Sequence, residues 1–284
     1  IIVATPGRLL DHIKRGSVSV YSAASLVLDE YDKSLELGFL QDMRSIVGRM
    51  KNLRTLILTS ATQLAEMPDF LGDEAVKHFD YSDAGENAGG EIEFLRVDSP
   101  SADKLETLDA LLHDLSGGRT IVFVNHRDAA ERVFKHLQSR GYPAGLYHGG
   151  LEQDMRERAL ILFANGSTPV LVSTDLASRG LDIDGVEAVV HYHLPVSGQA
   201  LTHRNGRTGR MGASGKAFAI ISDNDKIPDF FPALDQYWPD GTGEIKPSEW
   251  ATLHFNAGKK EKISRGDIAG FLMQKGNLGR GEVG

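Results

Sequence analysis

Several short stretches of this 284-residue chain combine residue types that can do chemistry on phosphates. Asp29-Glu30-Tyr31-Asp32 directly follows the apolar run Leu26-Val27-Leu28. Carboxylates there would sit at the C-terminal end of a parallel strand, where open α/β sheets bind ligands. Magnesium takes hard oxygen ligands, and phosphoryl transfer to water needs a carboxylate to orient the attacking oxygen. Ser60-Ala61-Thr62 follows the next β-rich run and would bring small hydroxyls to the same sheet edge. Those hydroxyls could hydrogen-bond the carboxylates or simply cap a helix.

The most informative stretch is His203-Arg204-Asn205-Gly206-Arg207-Thr208-Gly209-Arg210, a basic, acid-free segment in a chain of net charge −8. Arginines spaced by glycine suit phosphate, because glycine lets the backbone approach while the guanidinium fork supplies paired donors. Thr174-Asp175 and Arg179-Gly180-Leu181-Asp182 follow another apolar run. They could offer a hydroxyl to a phosphate and a carboxylate to a ribose, although an arginine–aspartate pair is as readily a surface ion pair. His191 and His193 alternate along a strand-like run and could ligate a metal, yet no third ligand stands at a suitable spacing. Packing roles are expected for them and for His148 of His148-Gly149-Gly150.

These residues need elements to hold them. Over residues 1–75 the sequence predicts strand Ile1–Ala4, a helix from Pro6 capped by Thr5, strand Ser25–Leu28, a helix near Phe39–Met50 and strand Thr55–Leu58. Residues 81–91 lack an apolar period and read as a linker. From residue 92 the alternation resumes: strand Ile92–Val97, helix Asp103–Leu115, strand Thr120–Val124, helix Asp128–Arg140, a strand near Leu146, helix Gln153–Ala164, and strands Pro169–Ser173, Ala188–Tyr192 and Ala217–Ile221. Strands alternating with helices predict parallel sheets with crossovers, an α/β fold. The domains expected are therefore 1–80, a linker at 81–91, a second domain at 92–222, a proline-punctuated linker at 223–249, and a last unit at 250–284. That unit would open with a strand through Phe255, a basic turn at 258–262 and a helix from about Asp267.

Composition sets bounds. With 41% apolar residues the chain can fill real cores. It has no cysteine, so disulfides, cysteine-held metals and thiol nucleophiles are excluded, and a reducing, cytoplasmic setting fits. The apolar runs are too short to cross a bilayer, so no membrane partner is expected. The acidic balance excludes a uniformly basic nucleic-acid-binding surface, so any such site must be local.

In order and spacing over residues 1–222, the stretches above resemble the DEAD-box family of ATP-dependent RNA helicases. The resemblance implies two RecA-like parallel-sheet domains, with ATP and Mg2+ as cofactors and RNA as partner. Thr5, Pro6, Gly7 and Arg8 match the family's RNA-contacting Thr-Pro-Gly-Arg, and residues 29–32 match its Asp-Glu-Ala-Asp, with Tyr31 in place of alanine. By that match Asp29 holds magnesium and Glu30 positions the attacking water. Asp32 links to Ser60, Thr62 and His203 as the relay between nucleotide and RNA. Phe123 falls in the fourth motif and Gln153 and Arg156 match the family's Gln-x-x-Arg, all three as expected RNA contacts. Thr174, Asp175 and Arg179 fall on the RNA side of the fifth motif, and Gly180 and Asp182 on its nucleotide side. Arg207 and Arg210 match the arginine fingers of the sixth motif. Asn205 replaces a usual aliphatic residue, and His126 stands where threonine is common.

The family's phosphate loop, Gly-x-x-x-x-Gly-Lys-Thr, is absent from these residues, since neither Gly215-Lys216 nor Gly258-Lys259 has the required neighbours. The resemblance therefore implies a chain whose first RecA-like domain is incomplete and which is inactive alone. Residues 250–284 are similar to the opening of the RRM-type, α+β RNA-binding module found in one bacterial branch of the family. Lys259 and Lys260 are its expected RNA contacts and ribosomal RNA the expected target. A DNA translocase of the same superfamily and a non-catalytic RNA-binding scaffold are the rival readings. The sequence leaves the oligomeric state open.

Overall fold

The computed structural model describes residues 1–284 apart from 37, 61–69, 71–76, 81–89, 176–182, 184, 210–212, 249 and 284. Two compact units form, Ile1–Glu86 and Asn87–Gly284. The residues around this boundary, which the sequence marks as a linker, lie mostly outside the described set.

In the first unit, helix α1 spans Pro6–Lys14, with proline in its first turn where the missing N–H costs nothing. Thr5 precedes it, but its hydroxyl makes no cap bond; the Leu9 N–H donates to the Thr5 carbonyl instead (3.0 Å). Strands β1 (Ser25–Leu28) and β2 (Thr55–Leu58) pair in parallel, Ser25 opposite Thr55 and Leu28 opposite Leu58. Between them lie helices α2 (Tyr31–Glu36) and α3 (Leu40–Val47). Leu10 of α1, Ile46 of α3, Val20 and Met50 form the core, with Leu26 of β1 against them. The strand expected at Ile1–Ala4 does not form. No described strand offers it a ladder partner, and Ile1, Ile2 and Val3 are exposed.

The second unit is built on a seven-stranded, all-parallel sheet in the order β5-β6-β4-β7-β8-β3-β9. Its strands are β3 (Ile92–Ser99), β4 (Thr120–Phe123), β5 (Ala144–Tyr147), β6 (Val170–Ser173), β7 (Ala188–His191), β8 (Gly215–Ser222) and β9 (Asp235–Gln236). Its helices are α4 (Leu105–Asp114), α5 (Arg127–Ser139), α6 (Gln153–Ala164) and α7 (Gly198–Asn205). Successive strand residues face opposite sides. Val122, Val172, Val190, Phe218 and Ile220 therefore pack on Leu108, Leu111, Val133 and Leu137 of α4 and α5. Ile121, Phe123, Leu171 and Val189 pack on Ala159 and Phe163 of α6. Both faces are covered, which is why the central strands are apolar throughout.

Residues 223–249, expected as a linker, instead form a strap fastened to this unit. Phe231 meets His191 edge-on (centroids 5.9 Å apart), and β9 then pairs with the outer edge of β3, covering it. Tyr237 stacks edge-on against Phe218 (5.3 Å). The Asp114 carboxylate at the end of α4 accepts from the Tyr237 hydroxyl and from the Asp240 and Gly241 N–H groups, each at 3.1 Å. Gly241 has φ +65° and lies against Ala110, a position only glycine fills without strain. Farther on, the Lys246 N–H donates to Ser116, Ser248 to the Gly166 carbonyl, and Asn165 to Thr252. Prolines at 228, 232, 239 and 247 stop regular structure without stopping packing, and that is where the linker reading fails.

The strand expected through Phe255 does not form either. Among the described residues no strand pairs with this segment, and Leu253 and Phe255 are exposed. The basic turn is a single 3-10 turn, Lys259–Glu261, and helix α8 spans Arg265–Lys275. A reciprocal box starts α8: Ser264 N–H donates to Asp267 Oδ2 (2.8 Å) and Asp267 N–H to Ser264 Oγ (3.2 Å). No side chain of α8 is buried.

Asp114→Ala is expected to release the strap. Limited proteolysis should then cut within residues 237–246, and urea unfolding should show about 2 kcal/mol less stability, since bonds to a charged group each contribute roughly 1.5–3 kcal/mol. An unchanged cleavage pattern would contradict the clasp.

Candidate functional site

At the end of β1 the chain turns sharply and is pinned to β2. Thr59 donates its hydroxyl to Asp29 Oδ1 (2.5 Å), and the Glu30 N–H points at both Asp29 Oδ1 and Thr59 Oγ1 (3.2 Å each). The Thr59 N–H donates to Leu28 and the Tyr31 N–H to the Thr59 carbonyl, extending the ladder past both strands. This turn holds Glu30 at φ +46°, a left-handed conformation that is rare for glutamate and a form of strain often found at active sites. The Glu30 carboxylate is exposed and, among the described residues, makes no hydrogen bond or ion pair. Among the described residues Asp29 Oδ2 accepts no hydrogen bond either, leaving a hard oxygen for a cation that keeps most of its other ligands from water or phosphate. Thr59 is the residue missed from the sequence; its only signal was a third hydroxyl next to Ser60.

Tyr31 is fully buried and meets Phe70 edge-on at 6.4 Å, so the change from alanine adds packing beneath the acidic turn. Asp32 is buried in the first turn of α2, whereas Ser60 is exposed beside Thr59. Thr62 lies outside the described residues. Thr5, Pro6 and Gly7 open α1, and Arg8 is exposed with an ion pair to Asp11 (3.3 Å).

In the second unit the organising group is Arg204, whose side chain is 0% exposed. Its Nε and Nη2 donate to the two oxygens of Asp175 (2.5 and 3.1 Å) after β6. Nη1 donates to the His193 carbonyl after β7 (2.8 Å), Nη2 also to Asn125 Oδ1 after β4 (2.8 Å), and the guanidinium lies over the Phe123 ring (5.2 Å). One side chain from α7 thus ties together three strand ends. In the sequence Arg204 is one arginine of a basic segment, with nothing to mark it as the one turned inward. Asp175, expected on the RNA side, holds this guanidinium. Phe123, expected to contact RNA, is fully buried between Arg204 and the α6 face; a residue at that register points into the core.

The histidines serve this network. His191 Nε2 faces Asn205 Oδ1 (2.9 Å), which gives the unusual Asn205 a packing role, and His193 Nδ1 accepts the Asn125 N–H (3.2 Å). Burial, and then the Arg204 charge, push His191 down to about 3; burial, and then the Lys104 charge, push His193 down to about 4. Among the described residues no group of three or more histidine or acidic side chains could hold a metal.

Arg207 follows α7, half-buried, with Nε donating to the His203 carbonyl (3.3 Å). Arg179, Gly180, Asp182 and Arg210 lie outside the described residues. Thr174 is half-buried at the end of β6. Gln153 is exposed at the start of α6 and bonds Glu157, and one turn on Arg156 has a buried Nε without a partner. Lys259 and Lys260 are exposed.

All-parallel sheets whose polar side chains gather at strand C-termini are open α/β units that take ligands at that edge. The profile described as DEAD/DEAH box helicase matches residues 1–70, and that described as helicase conserved C-terminal domain matches residues 103–212. The chain thus carries DEAD-box helicase domains at residues 1–70 and 103–212. It is 35% identical over 301 residues to the ATP-dependent RNA helicase DbpA of Escherichia coli (strain K12), covering 100% of this chain and 64% of that protein. It is also 35% identical over 252 residues to the ATP-dependent RNA helicase RhlB of Xanthomonas oryzae pv. oryzae, covering 84% and 43%. The chain thus spans less than two thirds of these relatives' length. Among solved structures it is similar to S. cerevisiae Dbp5 bound to RNA and ADP BeF3, with TM-score 0.65 and 26% identity, covering 78% of this chain and 59% of that one.

The buried histidines set a pH dependence. Unfolded, both titrate near the ordinary 6.5, so below that pH the unfolded chain binds protons that the fold refuses. Stability should therefore rise with pH between about 4 and 6.5, by at most about 1.4 kcal/mol per pH unit for each group. Urea midpoints at pH 7 and pH 5 check this; an equal or higher midpoint at pH 5 would count against it.

Proposed function

We propose that this chain provides the water-activating and arginine-bearing parts of an ATP-dependent RNA helicase. The observation that carries the reading is the acidic turn of the first unit: a free Glu30 carboxylate held in a strained, pinned conformation beside an Asp29 with an open oxygen. Asp29 would hold Mg2+, which offsets charge on the phosphates. Glu30 would orient the attacking water and accept its proton, while Arg207 would stabilise charge developing on the transferred phosphoryl group.

RNA would lie along the strand ends of the second unit, near Thr174, Gln153 and Arg156, and along Thr5 to Arg8 of the first. Contacts of this kind grip phosphate and sugar, so binding should be sequence-tolerant and salt-sensitive. The basic residues 259–262 would extend the grip to structured RNA, ribosomal RNA included. The relatives support the reading by what they are named, ATP-dependent RNA helicases. A cytoplasmic setting is part of the proposal, in keeping with a chain without cysteine.

Because the 284 residues contain no Gly-x-x-x-x-Gly-Lys-Thr loop, they should show no RNA-stimulated phosphate release by themselves. Appreciable release would overturn the assignment of phosphate binding to that loop. Joined to the phosphate-loop segment of a DEAD-box relative, the chain should hydrolyse ATP when RNA is added and separate short RNA duplexes in preference to DNA. In that chimera Glu30→Gln should lower kcat by roughly 10²–10⁴-fold while retaining RNA affinity. Undiminished turnover would remove Glu30 from the mechanism.

A further inference from the structure

Lys104 is a lysine where every local rule disfavours one. It occupies the N-cap of α4, the end of a helix that repels cations, and it makes no cap hydrogen bond. Its side chain is 4% exposed, and lysine is almost never buried unless paired. Burial accordingly pushes its ammonium down from the ordinary range, against the opposing pull of Asp225.

All three of its donors are nevertheless used. Nζ donates to the Ile220 carbonyl on β8 (2.6 Å), to the Tyr192 carbonyl just after β7 (3.2 Å) and to Asp225 Oδ2 (2.7 Å). Asp225 is itself seated, since its Oδ2 also accepts the Ser222 N–H (2.8 Å) and hydroxyl (2.6 Å). The residue after Tyr192 is His193, whose carbonyl holds Arg204 and whose ring accepts the Asn125 N–H. Lys104 is therefore one peptide away from the group that seats the α7 arginine.

We propose that Lys104, seated by Asp225, is a positioning residue for the arginine helix: it fixes the Tyr192–Leu194 segment so that the His193 carbonyl and Asn125 meet the Arg204 guanidinium, and thereby sets Arg207 one turn further on. A lysine that only held the fold together would be replaceable by an apolar chain of its own length, because buried ion pairs are often no better than hydrophobic substitutes. A positioning lysine is not, because methionine cannot hold two carbonyls and a carboxylate in register.

The test follows the Arg204 Nε–H signal by nitrogen-15 NMR in the 284-residue chain, alongside affinity for a labelled single-stranded oligouridine. In Lys104→Met, shown folded by circular dichroism, the Arg204 Hε should exchange roughly tenfold faster with a shifted resonance, and oligouridine should bind roughly tenfold more weakly, the scale of one lost charge-assisted bond. A folded Lys104→Met with wild-type Arg204 exchange overturns the proposal, whatever its melting temperature. If Lys104→Met does not fold, Asp225→Asn gives the same reading: faster Arg204 exchange supports the proposal and unchanged exchange overturns it. Only the oligouridine arm rests on the helicase reading. A wild-type chain that binds no RNA would sink that reading, and the Arg204 signal would still decide the role of Lys104.

Discussion

The second unit is organised around a guanidinium with no access to water. Arg204 cannot shed its charge, so once α7 packs against the sheet its donors must all be met from inside. Asp175, Asn125 and the His193 carbonyl meet them, each from the end of a different strand. Loss of one partner would leave a buried charge uncompensated, whereas replacing the whole set by apolar groups could be neutral. The network is therefore weak as a source of stability and strong as a constraint on geometry. It dictates how β4, β6 and β7 end and where α7 lies.

Parallel topology makes this possible. Strands running one way deliver all their C-termini, with their unpaired carbonyls and following loops, to a single edge. The sheet core is almost wholly apolar, so polar groups concentrate at that edge and must satisfy one another. His191 and His193 stay neutral there, first because they are buried and then because cations stand nearby, and each engages the network through a ring nitrogen. The strap closes the far margin: β9 covers β3, and Asp114 fastens the chain beyond it.

Much of this scaffold was legible. The runs that became β1, β2 and α6 have the bounds their apolar patterns predict, and of the helically spaced Ala130, Val133, Phe134 and Leu137 of α5 all are buried but Phe134, which is half-buried. The failures share a cause. Helix α7 buries Arg204 and Asn205 along with Ala200 and Leu201, so a search for apolar periodicity does not see it. Strand β9 is two residues long between prolines, and the strap is held through backbone N–H groups and one carboxylate, which leave no pattern in side-chain hydropathy. At Phe123 motif position and register disagreed, and register decided: alternation with Ile121 places it on the inner face. Charge type was readable throughout; which arginine turns inward was not, because Arg204 and Arg207 differ in environment and not in kind.

The first unit reaches a similar end by a cheaper route. A left-handed glutamate is held by the Thr59 hydroxyl and carbonyl and by the Asp29 carboxylate, all neutral groups or exposed charges with little desolvation to offset. Strain of order 1–3 kcal/mol at one residue is tolerable when neighbouring strands over-determine it. The strain is local and leaves the Glu30 carboxylate unbonded among the described residues, which keeps it available to water, whereas the buried Arg204 guanidinium donates four hydrogen bonds within its network. A buried arginine met by strand-end partners and an exposed carboxylate left unbonded are thus opposite uses of the same kind of location, the C-terminal end of a parallel strand. Which use a strand end serves is decided by whether its charge is buried.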